Sequence, residues 1–112
     1  MKRLMYGYLR LTDDLDDQAI QQMERGLRDL AEAEGFCLAT TFCEIQNGWH
    51  GAFSELTEEL KRAEAHDAVV PSLDHISRHP ILRDHLLTRL EHDAQAQVWV
   101  VEPSAARTSR PR

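Results

Sequence analysis

Four short apolar runs alternate with three helix-length amphipathic stretches, and this alternation restricts the fold more than anything else in the chain. The runs are residues 4–11 (LMYGYLRL), 36–43 (FCLATTFC), 67–73 (DAVVPSL) and 97–101 (QVWVV). Each is strand-sized and rich in β-branched, aromatic or aliphatic side chains. The first is apolar on both alternating sets until Arg10, as a central strand covered on both faces should be. Gly7 within it marks a close approach of other backbone or a helix. Pro71 should fall near the end of the third run.

The stretches between the runs read as helices. In residues 15–34, Ile20, Met23, Leu27, Leu30 and Ala31 form one stripe. Thr12, Asp13 and Asp14 offer capping oxygens before it, Glu24 and Arg28 form an i,i+4 pair outside it, and Gly35 ends it. In the second helix, Ser54 is the expected cap, Phe53, Leu56, Leu60 and Ala63 form the stripe, and Glu58 pairs with Arg62. It should run to about Ala65. Pro80 suits the first position of a third helix, with Ile81, Leu82, Leu86, Leu87 and Leu90 expected to be buried. The loop before the second helix holds Asn47-Gly48 and Trp49, an indole expected to cover the core.

The order β-α-β-α-β-α-β predicts an α/β fold: three αβα layers around a flavodoxin-like, mostly parallel four-stranded sheet of order 2-1-3-4. At 112 residues this is one domain, about residues 1–102, followed by a disordered basic Pro/Ser/Arg tail over 103–112. The net charge is −6, but the tail carries Arg107, Arg110 and Arg112 and no acid. The body therefore sets its 19 acids against the 13 Lys+Arg less those three, a balance that disfavours general DNA binding. No apolar run approaches the length of a membrane span and no signal peptide is evident, so a cytoplasmic location is expected.

Cys37 and Cys43 lie in one run at an even spacing. On a regular strand they would share a face roughly 20 Å apart, too far for a disulfide. Buried, reduced thiols are expected. Asp13, Asp14, Asp16 and Asp17 suit a solvated helix start, where the dipole favours negative charge, better than a metal site. His75 and His79 are four apart, but Pro80 biases His79 to extended backbone and spoils the pair. His66, His85 and His92 should be solvated. No metal and no cofactor is expected.

In sheets of this order, ligands gather at the carboxyl ends of the strands beside the switch point, here between the first and third strands. Tyr8, Arg10 and Thr12 should meet Asp74, His75 and Arg78 there. Two arginines and a hydroxyl suit an anion, most naturally a phosphate. Alternatively, Arg10 pairs with Asp74 or another nearby acid and the cluster only ties loops together.

These residues carry a family resemblance over about residues 3–102. Tyr6-Gly7-Tyr8-Leu9-Arg10-Leu11-Thr12 resembles the Gly-Tyr-x-Arg-Val-Ser opening of the serine recombinases (resolvases and invertases). Leu73-Asp74-His75-Ile76-Ser77-Arg78 resembles their Leu-Asp-Arg-Leu-Ser/Gly-Arg motif, and Phe42-x-Glu44 fits the unit between. In that family a serine attacks a DNA phosphate and arginines stabilise the developing charge. The resemblance places Thr12 at the nucleophile position, Arg10 and Arg78 at two of the phosphate-binding arginines, Tyr8 at the motif's tyrosine and Asp74 at its aspartate.

The departures are as informative. His75 stands where the motif has its first arginine. His50-Gly51-Ala52-Phe53 lacks the arginine of the following helix, and Asn47-Gly48 replaces a serine-glycine. No long helix or helix-turn-helix is expected after the fourth strand. The threonine methyl crowds in-line attack, and a neutral imidazole lacks the permanent planar fork of a guanidinium. The expectation is a degenerate site: a non-catalytic interaction or regulatory module with a protein partner or a second copy. The alternatives are a DNA recombinase, or a subunit of one, using Thr12 with Arg10 and Arg78, and a small-anion or nucleotide sensor.

Overall fold

The computed structural model describes residues 3–45 and 51–101. It contains β1 (Arg3–Leu11), α1 (Asp17–Ala33), β2 (Phe36–Ile45), α2 (Gly51–Ala63), β3 (Asp67–Val70), a 3₁₀ turn (Leu73–His75), α3 (Pro80–Ala94) and β4 (Gln97–Val100). The strands form one parallel sheet in the order β2-β1-β3-β4, the expected topology. The Asn47-Gly48 turn, Trp49, His50 and the tail 103–112 lie outside the described residues.

Alternation along β1 builds two cores. Met5 and Leu9 pack with Leu27 and Ala31 of α1 on one face. Tyr6 and Tyr8 pack with Leu56 and Leu60 of α2 and Leu90 of α3 on the other. A central strand covered on both faces must be apolar at consecutive positions, which is why residues 5–9 are all buried. Gly7 lies under α1: a Cβ there would sit 2.9 Å from Leu27 Cδ1 and 2.9 Å from Thr41 Oγ1. The glycine read from the sequence as a close approach is therefore the place where helix, central strand and edge strand meet.

Local signals shift several boundaries. The N-cap of α1 is Asp16, whose carboxylate accepts the Ala19 N–H at 2.8 Å, rather than Thr12, Asp13 or Asp14. Those three precede the helix in a turn closed by Leu15 N–H on the Thr12 carbonyl. Gly35, at φ +84°, ends the helix as expected. Ser54 lies inside α2, which already begins at Gly51 and ends at Ala63. β3 stops at Val70, before Pro71. In α3, Leu86, Leu90 and Ala94 are buried at i, i+4 and i+8, whereas Ile81 and Leu82 in the first turn are exposed, against expectation.

The surface pairs differ too. Arg62 bonds to Glu59 rather than Glu58, and Glu58 pairs with Lys61. The Glu24–Arg28 pair is not formed. These are i,i+3 or i,i+4 options of similar, small worth on an exposed face, and sequence spacing does not choose among them.

Both cysteines are exposed and unpaired, which corrects the expected burial. The register between β1 and β2 slips between Met5 and Tyr6, so Leu38 faces Met5 and Thr40 faces Tyr6. Ala39 is the extra residue of a bulge. Cys37 then pairs with Leu4 and Cys43 with Leu9. An odd separation on β1 puts the two thiols on opposite faces of the sheet.

At the amino-terminal rim of the sheet lies a buried carboxylate that the sequence did not announce. Asp67 is 1% exposed. It accepts hydrogen bonds from Trp99 Nε1 at 3.0 Å, Gln97 Nε2 at 2.9 Å and Arg3 Nη2 at 3.0 Å. The Arg3 guanidinium also lies 5.1 Å from the centroid of the Phe36 ring. The cluster ties the starts of all four strands together.

Candidate functional site

β1 overshoots its neighbour. It pairs with β3 only at Tyr6 and Gly7 but continues beside β2 to Leu11. Beyond Gly7 its inner edge lacks a strand partner among the described residues. The 3₁₀ turn fills the gap: His75 Nδ1 accepts the Arg10 backbone N–H at 3.0 Å, as a strand carbonyl would. With Nδ1 accepting, the neutral ring carries its proton on Nε2. Burial pushes the His75 pKa below its ordinary value; nearby Asp74 opposes this, while Arg10 and Arg78 add to it.

The Arg10 side chain turns onto the same segment. Its Nε donates to the His75 carbonyl at 3.3 Å, and its Nη2 lies 3.5 Å from the Ile76 carbonyl and 3.4 Å from the Tyr8 hydroxyl. Arg10 forms no ion pair among the described residues; Asp74 pairs with Arg83 at 3.4 Å instead. The expected alternative of an Arg10–Asp74 bridge is therefore replaced by a guanidinium bound to carbonyls. Arg10 does hold the two loops together, but through neutral acceptors rather than an ion pair.

Tyr8 is fully buried and lies behind Arg10. Its hydroxyl donates to Glu44 Oε1 at 3.1 Å, and burial, first among several causes, raises its pKa well above the ordinary phenol value. Glu44, at the end of β2, also accepts the Ala52 and Phe53 N–H groups at 3.0 and 3.2 Å. A buried carboxylate thus caps the first turn of α2 and holds Tyr8. In the sequence Glu44 was visible only as part of a motif.

Thr12 follows β1, and its hydroxyl donates to Asp14. That bond, first among its causes, holds the Asp14 carboxyl below the usual carboxylate range. Arg10, Thr12, Asp14, Asp74, His75 and Arg78 line one cleft of about 210 Å³, with Ser72, Leu15 and Met23 completing its wall. Arg78 is exposed and has no hydrogen-bond or ion-pair partner among the described residues. The expected convergence is present except for Tyr8, which sits one layer behind it. Asp14 is the charged lining residue that sequence reasoning missed. The Thr12-x-Asp14 spacing, which allows a hydroxyl and a carboxylate two residues on to meet in a turn, was the available signal.

No three His, Cys, Asp or Glu residues gather as a metal site among the described residues. Nor, among the described residues, is any helix long and apolar enough to cross a membrane.

Titration of His75 should be visible in stability. Its folded-state pKa lies below the unfolded value of about 6.5, so the unfolded chain binds the proton more tightly. Stability is then complete above that pH and is lost as pH falls through the folded-state value. Asn Oδ1 can take the place of Nδ1 as acceptor but does not titrate. The melting temperature of His75→Asn is therefore expected to fall less than that of wild type between neutral and mildly acidic pH. Parallel curves would show that His75 does not contribute.

A parallel sheet of order 2-1-3-4 with this cleft at its switch point gives the chain the fold of the serine recombinase catalytic domains. Among solved structures, it is similar to the C-terminal catalytic domain of ISC1926 TnpA, an IS607-like serine recombinase. That match has a TM-score of 0.75 at 12% identity, over 97% of this chain and 71% of that one. The N-terminal catalytic domain of TP901-1 integrase matches with a TM-score of 0.71 at 19% identity, over 96% of this chain and 87% of that one. The C-terminal catalytic domain of IS1535 TnpA, also IS607-like, matches with a TM-score of 0.67 at 16% identity, over 92% and 73% of the respective chains. At these identities the likeness is one of fold. No protein-family model and no curated protein matches the sequence.

Proposed function

We propose that this domain uses the recombinase catalytic fold without cleaving DNA. It serves as a cytoplasmic interaction or regulatory module for a protein partner or a second copy. The observation that carries the reading is His75. At the position where the resembling motif has an arginine, this side chain completes the edge of β1, with its pKa pushed down. It brings no positive charge to the cleft at neutral pH.

Two further features support the reading. Asp14 puts a carboxylate beside the Thr12 hydroxyl, where it opposes an incoming phosphodiester, and its lowered pKa makes it a weak base. Arg10 directs its Nε and Nη2 to Tyr8, His75 and Ile76. Loss of a single charge-stabilising donor costs roughly 10²–10³-fold in other hydroxyl-nucleophile enzymes.

Incubation with supercoiled plasmid tests the proposal. Neither wild type nor Thr12→Ser is expected to nick it or to form a covalent protein–DNA adduct. An adduct formed by wild type and lost in Thr12→Ala would overturn the reading in favour of a working recombinase.

A second reading has an observation of its own. Arg78 is exposed in the cleft with no hydrogen-bond or ion-pair partner among the described residues, and Arg10 likewise forms no ion pair among them. Both features suit a small anion or a nucleotide phosphate. Stabilisation by phosphate, sulfate or nucleotides that disappears in Arg78→Ala would favour this sensor role over the interaction role.

A further inference from the structure

The sheet has two edges, and they are built differently. β4 is four residues long, and a short edge offers little to a passing strand. β2 runs for ten residues, Phe36–Ile45, without proline, lysine or arginine. Its one charged side chain, Glu44, is 4% exposed and bonded inward. In a chain with 29% charged residues, the long edge therefore presents no charge at all. Among the described residues, the usual protections of an edge strand are absent except for the bulge at Ala39.

The exposed side chains of β2 belong to types that are usually buried. Cys37 and Cys43 are exposed, and Ile45 is 66% exposed. An unpaired row of N–H and C=O groups flanked by such side chains fits another strand. The strand that matches without introducing charge is the same strand of a second copy.

We infer that two copies pair through β2, antiparallel about a twofold axis, to make a continuous eight-stranded sheet. The bulge and Glu44 together set the register, since an axis on Glu44 would oppose two carboxylates. Such an axis, normal to the sheet, preserves its faces, so partners across it must come from the same face. Within Thr40–Ile45, Cys43 and Ile45 share a face with Thr41, and Ala39 interrupts the sequence on the other side. Centring the axis on Cys43 sets Cys43 against Cys43 of the second copy and Ile45 against its Thr41. Centring it one residue earlier would place Ile45 opposite the bulge, with no same-face partner. The chosen register covers both exposed apolar side chains beyond the bulge and forms a β-branched cross-strand pair. Opposed antiparallel residues have Cα atoms roughly 4.5–5.5 Å apart, within disulfide range.

This inference deepens the interaction reading by naming a partner and a surface, and its test involves no cleavage assay. Sedimentation equilibrium of the full chain under reducing conditions should show a reversible monomer–dimer equilibrium. Cys43→Lys, which opposes like charges at the axis, should shift it at least tenfold toward monomer without changing the circular dichroism spectrum. Separately, oxidation with copper phenanthroline should give a disulfide-linked dimer in wild type and Cys37→Ser but not in Cys43→Ser. A monomer at every concentration, a dimer unaffected by Cys43→Lys, or cross-linking through Cys37 would overturn the inference.

Discussion

Glu44→Ala is expected to lower the free energy of unfolding by about 3–5 kcal/mol, measured by urea titration. Glu44 Oε1 accepts from the Tyr8 hydroxyl and from the Ala52 and Phe53 N–H groups. Alanine removes the acceptor and leaves all three donors. An unsatisfied buried donor costs about 1–3 kcal/mol, and Tyr8 and Phe53 are buried. A small domain has only about 5–15 kcal/mol in total, so the variant should be close to unfolded at physiological temperature. Glu44→Gln separates charge from acceptor. Its carbonyl oxygen can still accept all three bonds, so only the charge at the helix N-terminus is lost, about 1 kcal/mol. Equal losses in the two variants would mean that charge, not hydrogen bonding, holds the junction.

Asp67→Ala should cost about 2–4 kcal/mol, the second-largest effect. On a domain of this size that lowers the melting temperature by roughly 10–25 °C. Of its three donors, Arg3 and Gln97 are exposed and return to water, whereas the half-buried Trp99 Nε1 loses its acceptor. The Arg3 side chain is 70% exposed, so Arg3→Ala should cost under about 1 kcal/mol. If Arg3→Ala is as damaging as Asp67→Ala, the ion pair matters more than the buried hydrogen bonds and the ranking is wrong.

Much of the fold was legible because it rests on periodicity and punctuation. The alternation of strand-sized and helix-sized segments dictated the topology, and Gly35 and Pro80 marked helix ends through backbone constraints of their own. The convergence of Arg10, Thr12, His75 and Arg78 followed from the switch-point rule. What each side chain does there was not legible. Whether Arg10 meets a carboxylate or a carbonyl depends on ångström-scale placement of the 3₁₀ turn, which sequence spacing does not encode. Asp16 rather than Asp14 caps α1 because any of several adjacent aspartates could, and the Thr12–Asp14 turn removes one of them. Ile81 and Leu82 looked buried because apolar spacing identifies a helix face without saying how far the neighbouring helix extends along it.

The extra residue at Ala39 also bears on how this chain compares with others. Before it, Phe36 and Leu38 face α1; after it, Thr41, Cys43 and Ile45 do. Inward and outward positions exchange parity in mid-strand. An ungapped alignment with a strand lacking the bulge would therefore match core positions to surface positions along half of β2. A one-residue gap at Ala39 restores the correspondence, so distant relatives of this chain are better sought by superposing backbones than by scoring the strand letter by letter.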